Sequence, residues 1–372
     1  MIRALFSALV LATTGAALAQ GVTDSQIVLG QSAAFSGPAQ ALGKDMQFGA
    51  TLYFNAVNAK GGVNGRKVVL KSLDDGYEAT RAAENTKKLI NEDKVFALFG
   101  YVGTPTSAAA LPIFTEAKVP FVGPFTGAEL LRSPVNPYVF NVRASYFDET
   151  EAIVQHLTAM SIDRIAVFYQ NDSYGQAGLA GVERALKKRN LEIVSRGTVE
   201  RNTVEVKKAV ADISKANPQA VIMISAYKSC AAYIRTSKAA GPSPIFWNVS
   251  FVGSNALAHE LGAESRGVEI SQVVPFPWDL TIPVVKEYRK AIEEAKEEPG
   301  FGTLEGYIAA KVMVEGLRRA GRKLDREGFV RAMESIGDLD VGGFRVSYGP
   351  GDRHGSRFVD LTIITKDEKF LR

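Results

Sequence analysis

The chain has 372 residues, 46% hydrophobic and 23% charged, a globular composition over a length that exceeds one ordinary core and implies two domains. Its net charge of +4 comes from basic residues interspersed with acidic ones, which argues against a nucleic-acid footprint. Cys230 is the only cysteine, so packing rather than a disulfide must hold each domain.

In chain order, Arg3 supplies a positive start, residues 4–16 are almost wholly apolar or small, and Ala17-Leu18-Ala19 is an A-x-A cleavage triplet. This predicts a signal peptide over 1–19, a mature chain from Gln20 and a periplasmic location. The apolar run is too short for a membrane anchor, and no cysteine follows it to carry a lipid.

From Ile27 onward, short β-branched or aromatic runs alternate with longer amphipathic stretches, the pattern of βα units on a parallel sheet. A first series places strands at 27–34, 67–74, 95–100 and 119–124, with helices at 44–58, 79–91 and 105–117. A second places strands at 164–170, 192–199, 220–225 and 245–250, with helices at 147–160, 175–189, 204–216 and 228–240. After a strand at 268–275 come helices at 282–296, 303–319 and 326–335, then strands near Phe344 and at 360–365. These late elements exceed what either series needs. The expected organisation is therefore a lobe of 20–142 plus 274–345 and a lobe of 143–273 plus 346–372, crossing near Val274 and Val346. Both lobes are doubly wound and Rossmann-like, with a cleft beyond the carboxyl ends of their strands.

Several segments carry a family resemblance. Ser36-Gly37-Pro38-Ala39 and the run from Phe54 through Asn58 to Gly65 resemble the opening signature of the leucine/isoleucine/valine-binding proteins; Asn171-Asp172-Ser173-Tyr174-Gly175 and 304–311 resemble later segments. The match covers essentially the whole mature chain in order. It implies a type I periplasmic binding fold, α/β, with two lobes joined by three crossovers. It also implies a monomer that delivers a small ligand, an apolar amino acid foremost, to an ABC permease in the inner membrane. A sensory role would use the same cleft.

Gly100-Tyr101-Val102-Gly103-Thr104-Pro105 follows a predicted strand and opens a helix, with Thr104 suited to the N-cap and Pro105 to the first helical position. Free amides and the helix dipole there favour an anion. The resemblance gives Thr104 the ligand carboxylate, although capping alone also explains a threonine. In Gly123-Pro124-Phe125-Thr126-Gly127 the family pattern implies a hydroxyl contact from Thr126, main-chain contacts at Phe125 and Gly127, and a pocket wall from Phe125. Ordinary turn chemistry also accounts for that segment. Opposite them, Tyr174 and Tyr227 match family tyrosines that pack on the ligand.

Ser250 stands where the family has an ammonium-binding glutamate, and a serine carries no charge for that role. Asp75, Asp172 and Glu305 are the candidate substitutes, while Trp247, Phe251 and Trp278 leave room for a bulky apolar group. This departure opens a second ligand class, small aromatic or aliphatic carboxylates or amides. For catalysis the chain supplies little: no G-x-S-x-G elbow, no C-x-x-C, and His156, His259 and His354 lack ligand spacing. Residues 37–44 miss a phosphate loop by one residue. Neither cofactor nor metal is expected, and a secreted hydrolase is the remaining, different reading.

Overall fold

The computed structural model describes residues 20–372, and the signal peptide expected over 1–19 lies outside them. The first series forms β1 (Gln26–Ala33), α1 (Gln40–Ala59), β2 (Lys67–Asp74), α2 (Ala79–Asn91), β3 (Ala97–Phe99), α3 (Thr104–Glu116), β4 (Phe121–Val122) and β5 (Val139–Phe140). These strands make a parallel five-stranded sheet ordered β2-β1-β3-β4-β5, with Gln26 opposite Lys67 and Ala33 opposite Asp74.

The second series runs α4 (Tyr146–Ala159), β6 (Ile165–Gln170), α5 (Ser173–Lys187), β7 (Arg196–Val199), α6 (Lys207–Ser214), β8 (Ala220–Ile224), α7 (Tyr227–Ala239), β9 (Ile245–Asn248), α8 (Ser254–Leu261) and β10 (Glu269–Gln272). Its central strands are apolar on both faces, as a sheet covered by helices requires: all of β8 is buried. Local chemistry sets the helix starts. Ser145 and Asp148 form a capping box on α4, and the Asp172 carboxylate accepts from the amides of Tyr174 and Gly175 on α5.

The chain then returns through α9 (Pro283–Ala295), α10 (Phe301–Ala320) and α11 (Arg326–Glu334). A three-stranded antiparallel sheet follows, β11 (Gly337–Asp340), β12 (Arg345–Gly349) and β13 (Asp352–Gly355), then β14 (Asp360–Ile364) and β15 (Phe370–Leu371). The last two complete a seven-stranded sheet, β15-β14-β10-β9-β8-β6-β7, with β14 antiparallel to β10. Helix α10 packs on α1 at glycine contacts: a Cβ on Gly306 would lie 2.3 Å from the Met46 carbonyl and one on Gly49 1.8 Å from that of Thr303. Gly306→Ala is expected to cost about 1–3 kcal/mol through this overpacking, read as a lower urea midpoint at unchanged slope.

Several expectations need correction. Val346 does not mark a crossover. It pairs with Leu339 inside the small sheet, whose last strand meets the end of β5: Asn141 N–H donates to Arg353 O at 3.1 Å and Ser356 N–H to Val142 O at 2.9 Å. The chain reaches the seven-stranded sheet only at Asp360, so the third passage lies at 356–359. The strand expected to 250 stops at Asn248, and Ser250 opens a one-turn helix ended by Gly253 at φ 84°. The strand expected from 192 begins at Arg196. The short elements β5, α8, β11, β13 and β15 carry too little periodicity to be read in advance.

Candidate functional site

At the carboxyl edge of the first sheet, β3 and β4 each end in a glycine of positive φ, Gly100 and Gly123, both at 62°, which turns the chain outward. The two loops are bonded side by side: Phe125 N–H donates to Tyr101 O at 2.7 Å and Gly103 N–H to Phe125 O at 3.1 Å. That juxtaposition brings the fully buried Thr104 and Thr126 hydroxyls to 2.7 Å of each other, and Thr126 donates on to the Tyr146 hydroxyl at 3.2 Å.

The roles within these loops differ from expectation. The N-cap of α3 is Gly103 rather than Thr104, so the Thr104 hydroxyl caps nothing and is turned to Thr126. The Phe125 main chain is committed to the neighbouring loop, and Gly127 O accepts from Tyr146 N at 2.8 Å. Gly103 sits at φ 105°, where a Cβ would come within 2.2 Å of the Tyr77 ring. Gly103→Ala is therefore expected to weaken ligand binding by moving Tyr77 and the start of α3 together, measured by titration calorimetry.

Phe251 lies in a nest of aromatic rings from both lobes, its centroid 4.6 Å from Tyr174, 5.7 Å from Phe125 and 5.9 Å from Tyr77, with Tyr146 a further 5.4 Å from Tyr174. Burial pushes the Tyr146 hydroxyl up to about 12 and Tyr174 well above its ordinary value, so both remain proton donors. Among the described residues the buried Tyr174 hydroxyl has no partner.

Other expected residues lie elsewhere. Tyr101 turns into the core behind the sheet, its hydroxyl 3.1 Å from Thr86 and its ring edge-on to Phe121. Tyr227 stands near Leu42 across Gly253, beside α1 rather than in the aromatic nest. Trp247 packs on His156, and Trp278 stacks on Phe370. Asp172 caps α5, while Asp75 is held by the Ser32 hydroxyl at 2.7 Å and the Tyr77 amide at 2.8 Å.

At Ser250 the acid expected from the chain's own position 250 arrives from α4. Glu149 accepts from Ser250 N at 2.7 Å, Ser250 Oγ at 3.0 Å, Ser271 Oγ at 2.6 Å and Arg143 Nη2 at 3.3 Å. Arg143 also bonds Ser250 Oγ, lies 4.9 Å over the Phe125 ring and has Glu305 3.5 Å from Nη1. Arg143 and Glu149 are fully buried. Sequence reasoning missed Arg143, Glu149, Tyr77 and Tyr146. The available signal was an arginine as the one charged residue inside the mainly apolar run 139–147, since an unpaired buried charge is prohibitively costly.

At the cleft mouth the lobes touch directly. Arg201 Nη2 lies 3.0 Å from Glu78 Oε2, and Asn202 Nδ2 donates to Glu78 Oε1 at 2.7 Å and to Gly76 O at 3.1 Å. These bonds exist only when the lobes meet. Asn202→Ala is expected to raise ligand Kd about 3- to 10-fold through a faster dissociation rate, by lowering the share of the closed form, as stopped-flow kinetics would show.

Protonation adds a pH dependence. Burial pushes Asp75 up to about 6 and Glu305 up to about 7, so their contribution to stability is present at low pH and lost as pH rises through those values. Burial also pushes Asp74 upward, but the Ser36 hydroxyl, the Phe35 and Gly76 amides and Arg81 together hold it well below the usual range. Its contribution is lost below about pH 4. Melting temperature is expected to peak near pH 5 and fall toward pH 8, checked by differential scanning calorimetry across that range.

The family model described as "Periplasmic binding protein" matches residues 26–369. The Leu/Ile/Val-binding protein homolog 7 of Brucella abortus is 26% identical, with 91% of this chain and 88% of the relative covered. The leucine-specific-binding protein of Salmonella typhimurium is 24% identical, with 92% of each covered. Among solved structures, a possible leucine/isoleucine/valine-binding protein from Rhodopirellula baltica superposes with a TM-score of 0.90 at 36% identity, covering 94% of this chain and 97% of that one. No helix among the described residues is long and apolar enough to cross a membrane. The parallel five-stranded sheet, the mixed seven-stranded sheet and the match across nearly the whole chain lead to one conclusion: the chain belongs to the type I periplasmic binding protein family.

Proposed function

We propose that this chain is the solute-binding component of an ABC importer, working in the periplasm and closing its lobes on a small apolar carboxylate, with leucine-like amino acids the first candidates. The observation that carries this reading is the Thr104–Thr126 hydroxyl pair, 2.7 Å apart at the start of α3 and beside the aromatic nest around Phe251. An arriving carboxylate exchanges a neutral hydroxyl–hydroxyl bond for charge-assisted ones, which are roughly twice as strong. The Tyr146 and Tyr174 hydroxyls supply further donors, and the rings accept an apolar body. Because the nest draws on both lobes, ligand contacts with Phe251 and Tyr174 form only on closure, so ligand favours the closed form. The names of the relatives support amino acids as the first class to try.

A melting assay with leucine, isoleucine, valine, phenylalanine and their deaminated analogues tests the reading. Stabilisation by at least one, growing with concentration, is expected. No response to any of them, or a response only to ligands lacking a carboxylate, would contradict it.

A further inference from the structure

Three acids were candidate substitutes for the missing glutamate, and the structure separates them. Asp172 is committed to the α5 cap and Asp75 to Ser32 and Tyr77. Glu149, the acid nearest to Ser250, is no better placed. Its four donors fill the four lone-pair sites of a carboxylate. Glu305 differs. It is 5% exposed, and among the described residues its carboxylate accepts no hydrogen bond, its one ionic neighbour being Arg143 Nη1 at 3.5 Å. It faces a small, partly open cavity at the join of the lobes, whose lining it shares with Phe125, Ser250, Ser254 and Gln272.

Its helix places it beside the carboxylate-gripping loop. Ala309 of α10 abuts Gly123, where a Cβ would lie 3.0 Å away. Glu305, four residues earlier, occupies the same helix face about 6 Å further along and shares a cavity lining with Phe125, the residue before Thr126. We infer that Glu305 is the specificity-determining acid of this site, accepting the ammonium group of an α-amino acid whose carboxylate is held at Thr104 and Thr126. The inference rests on the small-apolar-carboxylate reading. The partially met Arg143, with Nε and Nη1 unbonded, leaves Glu305 free to take a closer cationic partner. Burial holds the Glu305 carboxyl near 7, with Arg143 the strongest influence opposing it, and an incoming ammonium would draw it down. The charged groups around it are Arg143 from the segment between β5 and α4, Glu149 from α4 and, further back, Arg132, which donates to the carbonyls of Arg143, Ala144 and His354. Asp45 of α1 faces the same cavity.

Titration calorimetry of L-leucine against 4-methylpentanoate, its counterpart without the amino group, tests this. The wild-type protein is expected to prefer leucine by about 10- to 100-fold, as a hydrogen bond to a charged group commonly does. Glu305→Gln is expected to abolish that preference while keeping 4-methylpentanoate affinity within about threefold, and Glu305→Asp to retain part of it. The wild-type preference should also shrink from pH 8 to pH 6 as Glu305 takes up a proton, a change that a packing role would not produce. A preference that survives Glu305→Gln overturns the inference. So does one that is constant over that pH range, which decides the matter if the glutamine variant fails to fold. Tight binding of 4-methylpentanoate with no gain for leucine overturns it while leaving the carboxylate reading standing. Binding of neither removes both.

Discussion

Thr104→Val is expected to weaken binding of the proposed carboxylate ligand by about 10- to 100-fold, because the variant keeps the side-chain shape and removes one donor to an anion. The loss in folding stability should be much smaller, about 1 kcal/mol, the worth of the single bond to Thr126. Thr126→Val should cost more on both counts, since Thr126 also donates to Tyr146 and accepts from Ala128 N at 3.3 Å. Tyr101→Phe is the control. Its hydroxyl meets Thr86 in the core behind the sheet, so calorimetry should find its ligand affinity unchanged within about twofold. Equal losses for Tyr101→Phe and Thr104→Val would mean that binding does not run through the hydroxyl pair.

Arg143→Leu destabilises the fold by about 3–5 kcal/mol, because it strands Glu149 and Glu305 as buried acids facing one another without their cation. Solvation does little to relieve them, since Glu149 is fully buried and the Glu305 side chain only 6% exposed. Arg143→Lys restores the charge but lacks the planar fork that reaches Glu149, Glu305 and Ser250 together, so it should recover only part of the loss. Urea unfolding gives these numbers directly. A loss below about 1 kcal/mol for the leucine variant would show that the cluster contributes only as exposed pairs do.

Legibility of the fold in the sequence followed element length. Strand β2 and helix α2 were readable to the residue, because each is a long periodic run bounded by turn chemistry. Strand β4 was expected over 119–124 and narrows to two residues, and β5 was missed, since the pairing of such short strands is set by neighbours rather than by their own pattern. Helix α8 was missed because Gly253 at φ 84° starts it without a side-chain cap. The third passage was misplaced for a related reason: β12 alternates buried and exposed residues as a surface strand does, and nothing local tells which sheet it joins.

The site was legible in part. The hydroxyls of Thr104 and Thr126 could be paired in advance because each follows a strand of the same sheet. Tyr101 could not be excluded, since the face it takes depends on the Gly100 turn at φ 62°. The charge partner of Ser250 was hidden most completely. It comes from Glu149, 101 residues earlier in the chain, and only tertiary packing brings the two together.

The most direct test of the central claim is a crystal structure of the protein with the tightest ligand from the melting assay. The account predicts a carboxylate oxygen within about 3.2 Å of both Thr104 Oγ1 and Thr126 Oγ1, with the apolar body against Phe251 and Tyr174. A ligand bound outside that nest, or one whose carboxylate is held elsewhere while the two threonines stay bonded only to each other, would contradict it.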